Sequence, residues 1–133
     1  MKSMKGIDVS KWQGQIDWHK VKKDGVRFVM ARISHGTARD PMYAQNIEGA
    51  QAVGLPVGGY FYSYARSVEA ARQEARTAIE ALNGYRLTYP LAFDQEDARQ
   101  QGLSKRLNTD MAIAALESVK TAGYTPALYS NPN

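Results

Sequence analysis

Two carboxylates separated by one residue are the clearest chemical feature of this 133-residue sequence. Asp94 and Glu96 follow the apolar run Leu91–Phe93, and on a β-strand they would share one face, with Cα atoms about 6.6 Å apart. Carboxyl groups this close influence each other's ionisation, so that one can stay protonated near neutral pH while the other is charged. Cleavage of a glycosidic bond needs this division, because one group protonates the leaving oxygen and the other stabilises the developing cation. The alternative interpretation is that the triplet only caps the next helix or binds solvent.

Asp8 is a third candidate acid, since it lies between the apolar residues Ile7 and Val9 in a short predicted strand. A carboxylate that faces a barrel interior carries a large desolvation cost unless it is paired or used in chemistry. Its alternative interpretation is a turn or helix-capping residue ahead of Ser10.

Aromatic and cationic side chains near the predicted strand ends are candidate substrate-binding residues. Tyrosine and tryptophan stack on sugar rings while donating a hydrogen bond, although ordinary core and rim packing would use the same residue types. The candidates are Trp12, Arg32, Tyr60, Tyr62 and Tyr129.

The elements that must position these residues alternate along the chain. Apolar runs predict five strands, at 6–10, 27–33, 56–62, 91–96 and 126–130. Helix-period stretches follow the first four strands, with predicted N-terminal caps at Asp17, Asp40 (before Pro41), Ser67 and Asn108, and terminating glycines at Gly25, Gly54, Gly84 and Gly123. Alternation of this kind predicts right-handed βαβ units, a parallel sheet and an α/β fold. The carboxyl ends of the strands, where the candidate residues lie, then meet at one edge.

Five strands leave two architectures open, because a closed (β/α) barrel needs about eight. The fold is either an open five-stranded sheet or part of a larger barrel. Length and the absence of linkers predict one domain over residues 1–133.

Several function classes are excluded by what the sequence lacks. There are no cysteines, and His19 and His35 form no zinc-binding pattern, so no metal site is expected. Gly58-Gly59 belongs to no phosphate-binding loop, and no G-x-S-x-G motif occurs. The net charge of +4 is scattered over predicted helix surfaces, which argues against a nucleic-acid partner. No apolar stretch is long enough to predict a membrane span, and the N-terminus lacks the apolar region of a secretory signal.

Taken together, five motifs resemble the glycoside hydrolase family 25 lysozymes, the bacterial and phage N-acetylmuramidases. They are Gly6–Gly14 with Ile16–Trp18, Phe28–Gly36, Gly58–Tyr62, Tyr89–Glu96 and Gly123–Asn131. The resemblance runs in register along essentially the whole chain.

The resemblance implies an irregular, TIM-like β/α barrel of which the first five units are present. It also implies hydrolysis of the β-1,4 bond between N-acetylmuramic acid and N-acetylglucosamine in peptidoglycan, with no metal or organic cofactor. On the matching positions Glu96 is the general acid/base, and Asp94 orients the substrate's 2-acetamido group as internal nucleophile. Asp8 assists in the same pocket, which Tyr60 and Tyr129 line.

The sequence departs from the family pattern by lacking its last three strands, a late acidic residue and a tryptophan-rich segment. We therefore expect exposed sheet edges and self-association. Three hypotheses follow: a peptidoglycan hydrolase acting at the cell wall, a non-catalytic fragment that binds glycan or self-associates, and an unrelated flavodoxin-like regulator. For the hydrolase, release by phage lysis or a removed leader would explain how the protein reaches the wall.

Overall fold

The computed structural model describes residues 5–130. Asn131, which belongs to the last family-like motif, and the N-terminal residues 1–4 lie outside this range. The strands are β1 (Gly6–Val9), β2 (Phe28–His35), β3 (Ala38–Arg39), β4 (Val57–Tyr62), β5 (Leu91–Gln95) and β6 (Pro126–Ser130). The α-helices are α1 (Trp18–Lys23), α2 (Tyr43–Ala52), α3 (Val68–Ala81) and α4 (Lys105–Thr121), and short 3₁₀ turns occupy Lys11–Gln13 and Ala98–Gln100.

Five of the strands are parallel and lie in the sheet in the order in which they occur in the chain. The order is β1-β2-β4-β5-β6, and the two-residue β3 pairs antiparallel with the end of β2. Right-handed crossovers between strands in sequential order place every helix on the same side, as in a β/α barrel. A flavodoxin-like sheet instead changes direction at a switch point, so that hypothesis is wrong. The predicted α/β fold is confirmed, and the barrel is not closed.

The core fills the space between one face of the sheet and the helices. Alternate residues of β2 (Val29, Ala31 and Ile33) are completely buried there. The ring centroids of Phe61 on β4 and Phe93 on β5 are 5.4 Å apart. The period-two alternation of strands sends the intervening side chains to the opposite face. No helix of residues 5–130 covers that second face, and it carries the candidate site.

Gly58 and Gly59 allow the close packing of β4 with its neighbours. A Cβ atom at Gly58 would lie 2.5 Å from Met30 Sδ and 2.7 Å from the carbonyl oxygen of Pro90. The sequence places this pair in the family-like motif Gly58–Tyr62 and excludes a phosphate-binding loop, but only the structure shows that its role is steric.

Two predicted helix starts are wrong. Helix α4 begins after Ser104, whose side chain accepts a hydrogen bond from the backbone N–H of Leu107, so Asn108 lies inside the first turn. Helix α2 begins after Met42, and Asp40 is completely buried rather than a surface cap. The caps at Asp17 and Ser67 are confirmed.

The hairpin formed by β2 and β3 was not predicted. Strand β2 continues two residues beyond the predicted strand at 27–33, to His35, and pairs there with Ala38. A two-residue strand is too short to show a hydrophobic period, so no pattern could have indicated it.

Candidate active site

All eight predicted site residues line one cleft of about 660 Å³ on the open face of the sheet. They come from every parallel strand and from the connections that follow β1 and β5. The eight are Asp8, Trp12, Arg32, Tyr60, Tyr62, Asp94, Glu96 and Tyr129. Parallel pairing explains the convergence, since Arg32 is level with Tyr60, Tyr62 with Asp94, and Asp94 with Tyr129.

Asp94 and Glu96 form a coupled pair of carboxyl groups in this cleft. Asp94 is the last buried residue of β5, and Glu96 follows the strand and is half-buried. Burial, then the charge of Glu96, a hydrogen bond with it and the charge of Asp8 raise the pKa of Asp94 to about 7. The pair therefore holds one proton near neutral pH, and the more buried Asp94 keeps it.

Asp8 faces the cleft from β1 but is exposed to solvent. The expected desolvation cost at this position is therefore absent, because β1 is at the edge of an open sheet. The capping alternative is also wrong, since Ser10 caps the following 3₁₀ turn.

Tyr60 and Tyr62 present hydroxyl groups that remain protonated at physiological pH. Burial, followed by the charge of Asp8, raises the pKa of Tyr60 to about 12. Burial and the charge of Asp97 raise the pKa of Tyr62 to about 12 as well. The hydroxyl of Tyr62 donates to Asp97 Oδ2 at 3.2 Å, which ties the segment after Glu96 to β4.

Trp12 and Tyr129 form the exposed rim of the cleft, with 76% and 61% of their surface accessible. Exposed aromatic rings beside a cleft are suited to stacking against sugar rings. Lys11 Nζ lies 4.8 Å from the centre of the Trp12 ring.

Arg32 reaches the cleft as half of a buried ion pair. Its Nε donates to Asp40 Oδ2 at 2.8 Å, and its Nη2 is buried with no hydrogen-bond partner among residues 5–130. Asp40 also accepts hydrogen bonds from the backbone N–H groups of Lys11 and Met42.

Sequence reasoning missed four residues that contribute to the site. Ser10, Phe28 and Met30 line the cleft, and Asp40 holds Arg32. The spacing of Phe28, Met30 and Arg32, two residues apart along β2, could have predicted that all three side chains face the cleft. The sequence does not show whether Asp40 is buried or caps a helix, because its carboxylate meets the guanidinium of Arg32 only in the folded protein.

The part of the chain that the structure describes shows neither a metal-binding cluster nor a membrane-spanning helix. Residues 5–130 contain no group of three His, Asp or Glu side chains placed to hold a metal ion. None of the described helices has the length and apolar character required to cross a bilayer.

The family model described as "Glycosyl hydrolases family 25" matches residues 7–133. This chain belongs to glycoside hydrolase family 25. The uncharacterised protein YegX of Escherichia coli K12 is 31% identical over 131 residues, covering 94% of this chain and 47% of YegX. The autolytic lysozyme of Clostridium acetobutylicum is 33% identical over 103 residues, covering 77% of this chain and 31% of the lysozyme.

A solved structure superposes on nearly the whole of this chain and has the same fold. The modular autolysin LytC of Streptococcus pneumoniae superposes with a TM-score of 0.86 at 28% identity, covering 96% of this chain and 32% of LytC. This chain thus spans about half, or less, of the length of these relatives.

Proposed function

We propose that this chain carries the catalytic carboxylates of a peptidoglycan N-acetylmuramidase that cleaves the β-1,4 bond after N-acetylmuramic acid. The observation that supports it most is the pair of neighbouring carboxyl groups, Asp94 with a pKa raised to about 7 and Glu96, in a cleft rimmed by Trp12 and Tyr129. Among the relatives, LytC is an autolysin that has also been solved with a synthetic peptidoglycan ligand, and the C. acetobutylicum protein is an autolytic lysozyme. The proposed site of action is accordingly the cell wall.

In the proposed first step, the acetamido oxygen of the bound sugar attacks its own anomeric carbon while the glycosidic C–O bond breaks. The single proton of the pair passes from Asp94 to Glu96 along the hydrogen bond between them, and Glu96 gives it to the leaving oxygen. The Asp94 carboxylate left behind accepts the acetamido N–H and stabilises the cyclic cation. Asp94 Oδ1 fits this role because it has no hydrogen-bond partner among the described residues.

The second step returns the site to its starting state. Glu96 takes a proton from a water molecule, which attacks the anomeric carbon and opens the ring formed by the acetamido group. This proton then passes back from Glu96 to Asp94 along the hydrogen bond between them. The sugar product keeps its original anomeric configuration, because two inversions occur in succession. Asp8 adds negative charge on the same side of the cleft, and Tyr60 donates a hydrogen bond to the glycan, whereas the hydroxyl of Tyr62 is already bonded to Asp97.

The test is release of new reducing ends from purified peptidoglycan by this chain and by Glu96→Gln. Loss of a general acid/base costs about 10²–10⁴-fold in rate, so Glu96→Gln is expected to be nearly inactive. Asp110→Asn is the matched control, since Asp110 is an exposed residue of α4. Equal activity of wild type and Glu96→Gln would refute the proposal. Binding of peptidoglycan without any cleavage would favour the non-catalytic glycan-binding hypothesis.

A finer part of the proposal concerns self-association. Helix α4 and strand β6 leave an apolar groove in which Ile113 and Leu128 are 49% and 48% exposed. Strand β6 is also at one end of the strand order among the described residues, and an edge strand presents backbone groups that can pair with another chain. We propose that a second copy of this chain covers the α4–β6 groove.

A further inference from the structure

Asp40 is an unusual residue to find completely buried, and two of the hydrogen bonds that its side chain accepts come from the wall of the cleft and from the turn at its rim. Its Oδ2 accepts from Arg32 Nε at 2.8 Å and from the backbone N–H of Lys11 at 3.1 Å. Its Oδ1 accepts from the backbone N–H of Met42 at 2.8 Å. One carboxylate thus fixes Arg32, the turn that carries Trp12, and the start of α2. Burying a carboxylate is tolerated only with such complete hydrogen bonding.

The backbone around Arg32 is also arranged to direct its side chain. Arg32 pairs with Tyr60, but the next pair along the same two strands is Ser34 with Phe61, so Ile33 is an extra residue in β2. An extra residue of this kind forms a β-bulge, which redirects the neighbouring side chains. Asp40 also stabilises the bulge, because its backbone N–H donates a hydrogen bond to the carbonyl oxygen of Ile33 at 2.8 Å.

One nitrogen of the Arg32 guanidinium remains available to donate a hydrogen bond to a ligand. Arg32 Nη2 is buried without a hydrogen-bond partner among the described residues, which is unfavourable unless a ligand supplies an acceptor. Arg32 is also the only cationic side chain among the described residues that line the cleft.

The charged groups around Arg32 determine which kind of hydrogen-bond acceptor its Nη2 group can bind. Asp40 neutralises Arg32, and three further carboxyl groups, those of Asp8, Asp94 and Glu96, line the same cleft. A carboxylate on the ligand would be repelled by this surplus of negative charge, whereas an amide carbonyl or hydroxyl oxygen would not.

We propose that Asp40 is a positioning residue that holds Arg32 so that its Nη2 group donates a hydrogen bond to an uncharged oxygen of a bound N-acetylhexosamine. This inference rests on the proposed function for its ligand class. It adds that Arg32 contributes to recognition of the sugar itself, and not of the lactyl carboxylate that distinguishes muramic acid.

The hold of Asp40 on Arg32 is tested without any substrate. The Nε–H signal of Arg32, assigned by its disappearance in Arg32→Lys, is expected to exchange slowly with solvent in the full chain. Asp40→Asn is expected to speed this exchange at least tenfold, and Asp110→Asn to leave it unchanged. Rapid exchange in the wild type would overturn the positioning role, whether or not Asp40→Asn folds.

Sugar recognition is tested by titrating two saccharides into the Glu96→Gln background, with the fluorescence of Trp12 as the signal. The probes are uncharged tri-N-acetylchitotriose and the carboxylate-bearing disaccharide N-acetylglucosaminyl-N-acetylmuramic acid. Arg32→Gln and Asp40→Asn are expected to weaken both by the same factor, roughly tenfold, the loss of one good hydrogen bond.

The outcomes separate this inference from the proposed function. Unchanged affinities in Arg32→Gln would overturn the sugar contact, and so would a loss confined to the muramic acid disaccharide, which would show recognition of the carboxylate. If the wild-type chain cleaves peptidoglycan in spite of either result, only the inference fails. If the wild type neither binds the probes nor cleaves peptidoglycan, the sugar contact and the proposed function fail together.

Discussion

The proton that Asp94 and Glu96 share sets an upper pH limit on the proposed reaction. The leaving oxygen needs that proton, and the pair loses it as the pH rises through the Asp94 pKa of about 7. We expect the rate of reducing-end release to fall about tenfold per pH unit above this value. Tyr60 and Tyr62, with pKa values of about 12, do not contribute to the fall.

Rates measured between pH 5.5 and 9 at constant ionic strength check this expectation. A rate that is constant up to pH 9, or that increases with pH, would contradict the shared-proton account. Lysis by the same chain at fixed pH and different salt concentrations separates protonation from simple attraction between the basic protein and the wall.

The burial of Asp94 also lowers stability. Its folded pKa of about 7 lies above the usual value of 3.8, so between these values the folded chain binds more protons than the unfolded chain. Stability then falls as the pH rises through this window. Asp94→Asn removes the buried charge, and we expect it to be more stable than wild type by roughly 1 kcal/mol at pH 8, with little difference at pH 4.

Urea unfolding of Asp94→Asn and wild type at the two pH values provides the measurement. The same variant is expected to lose at least 10²-fold in activity. Asp110→Asn, at an exposed position, serves as the control for removing one negative charge. Equal stability gains in both variants would attribute the effect to net charge rather than to burial.

At the scale of the elements, the approach of β4 to its neighbours depends on Gly58. A methyl group there would meet Met30 Sδ, Tyr89 Cβ and the carbonyl oxygen of Pro90 within 3 Å, and the carbonyl belongs to the backbone. We expect Gly58→Ala to lower the free energy of unfolding by about 1–3 kcal/mol or more.

Gly102→Ala is the matched control, because nothing lies within 4 Å of a Cβ atom at Gly102 and its φ is not in the left-handed region. Its stability is expected to stay within about 0.5 kcal/mol of wild type. Denaturant unfolding of both variants distinguishes the two sites. A similar small effect at both would show that β4 and β5 can separate to accommodate the methyl group.

Strand identity and helix order could be predicted from the sequence, because they follow from local patterns of apolar residues and glycines. The start of α4 could not, since Ser104 and Asn108 are both good capping residues and only the folded backbone shows that Ser104 accepts from Leu107. The same limit applies to the candidate site. Its eight residues could be named from strand ends, but the ion pair of Arg32 with Asp40 depends on a bulge and a hairpin that leave no periodic signal.

At the scale of the whole molecule, the α4–β6 groove is expected to promote association of this chain. Leu128→Glu places a charge in the groove, and we expect the variant to stay monomeric at concentrations where the wild type associates. Sedimentation velocity over a range of concentrations measures this. Ile79→Glu, at a half-buried position of α3 outside this groove, is a control for adding a charge elsewhere. Association unchanged in Leu128→Glu would exclude the groove as the contact.

The sequential order of the parallel strands has a consequence for how the protein is made. Each new parallel strand pairs with the strand synthesised just before it, so the sheet can grow from one edge as the chain leaves the ribosome. Among the eight cleft residues the ribosome adds Asp8 first and Tyr129 last. The cleft can therefore be assembled strand by strand in the direction of synthesis, and β6 completes it.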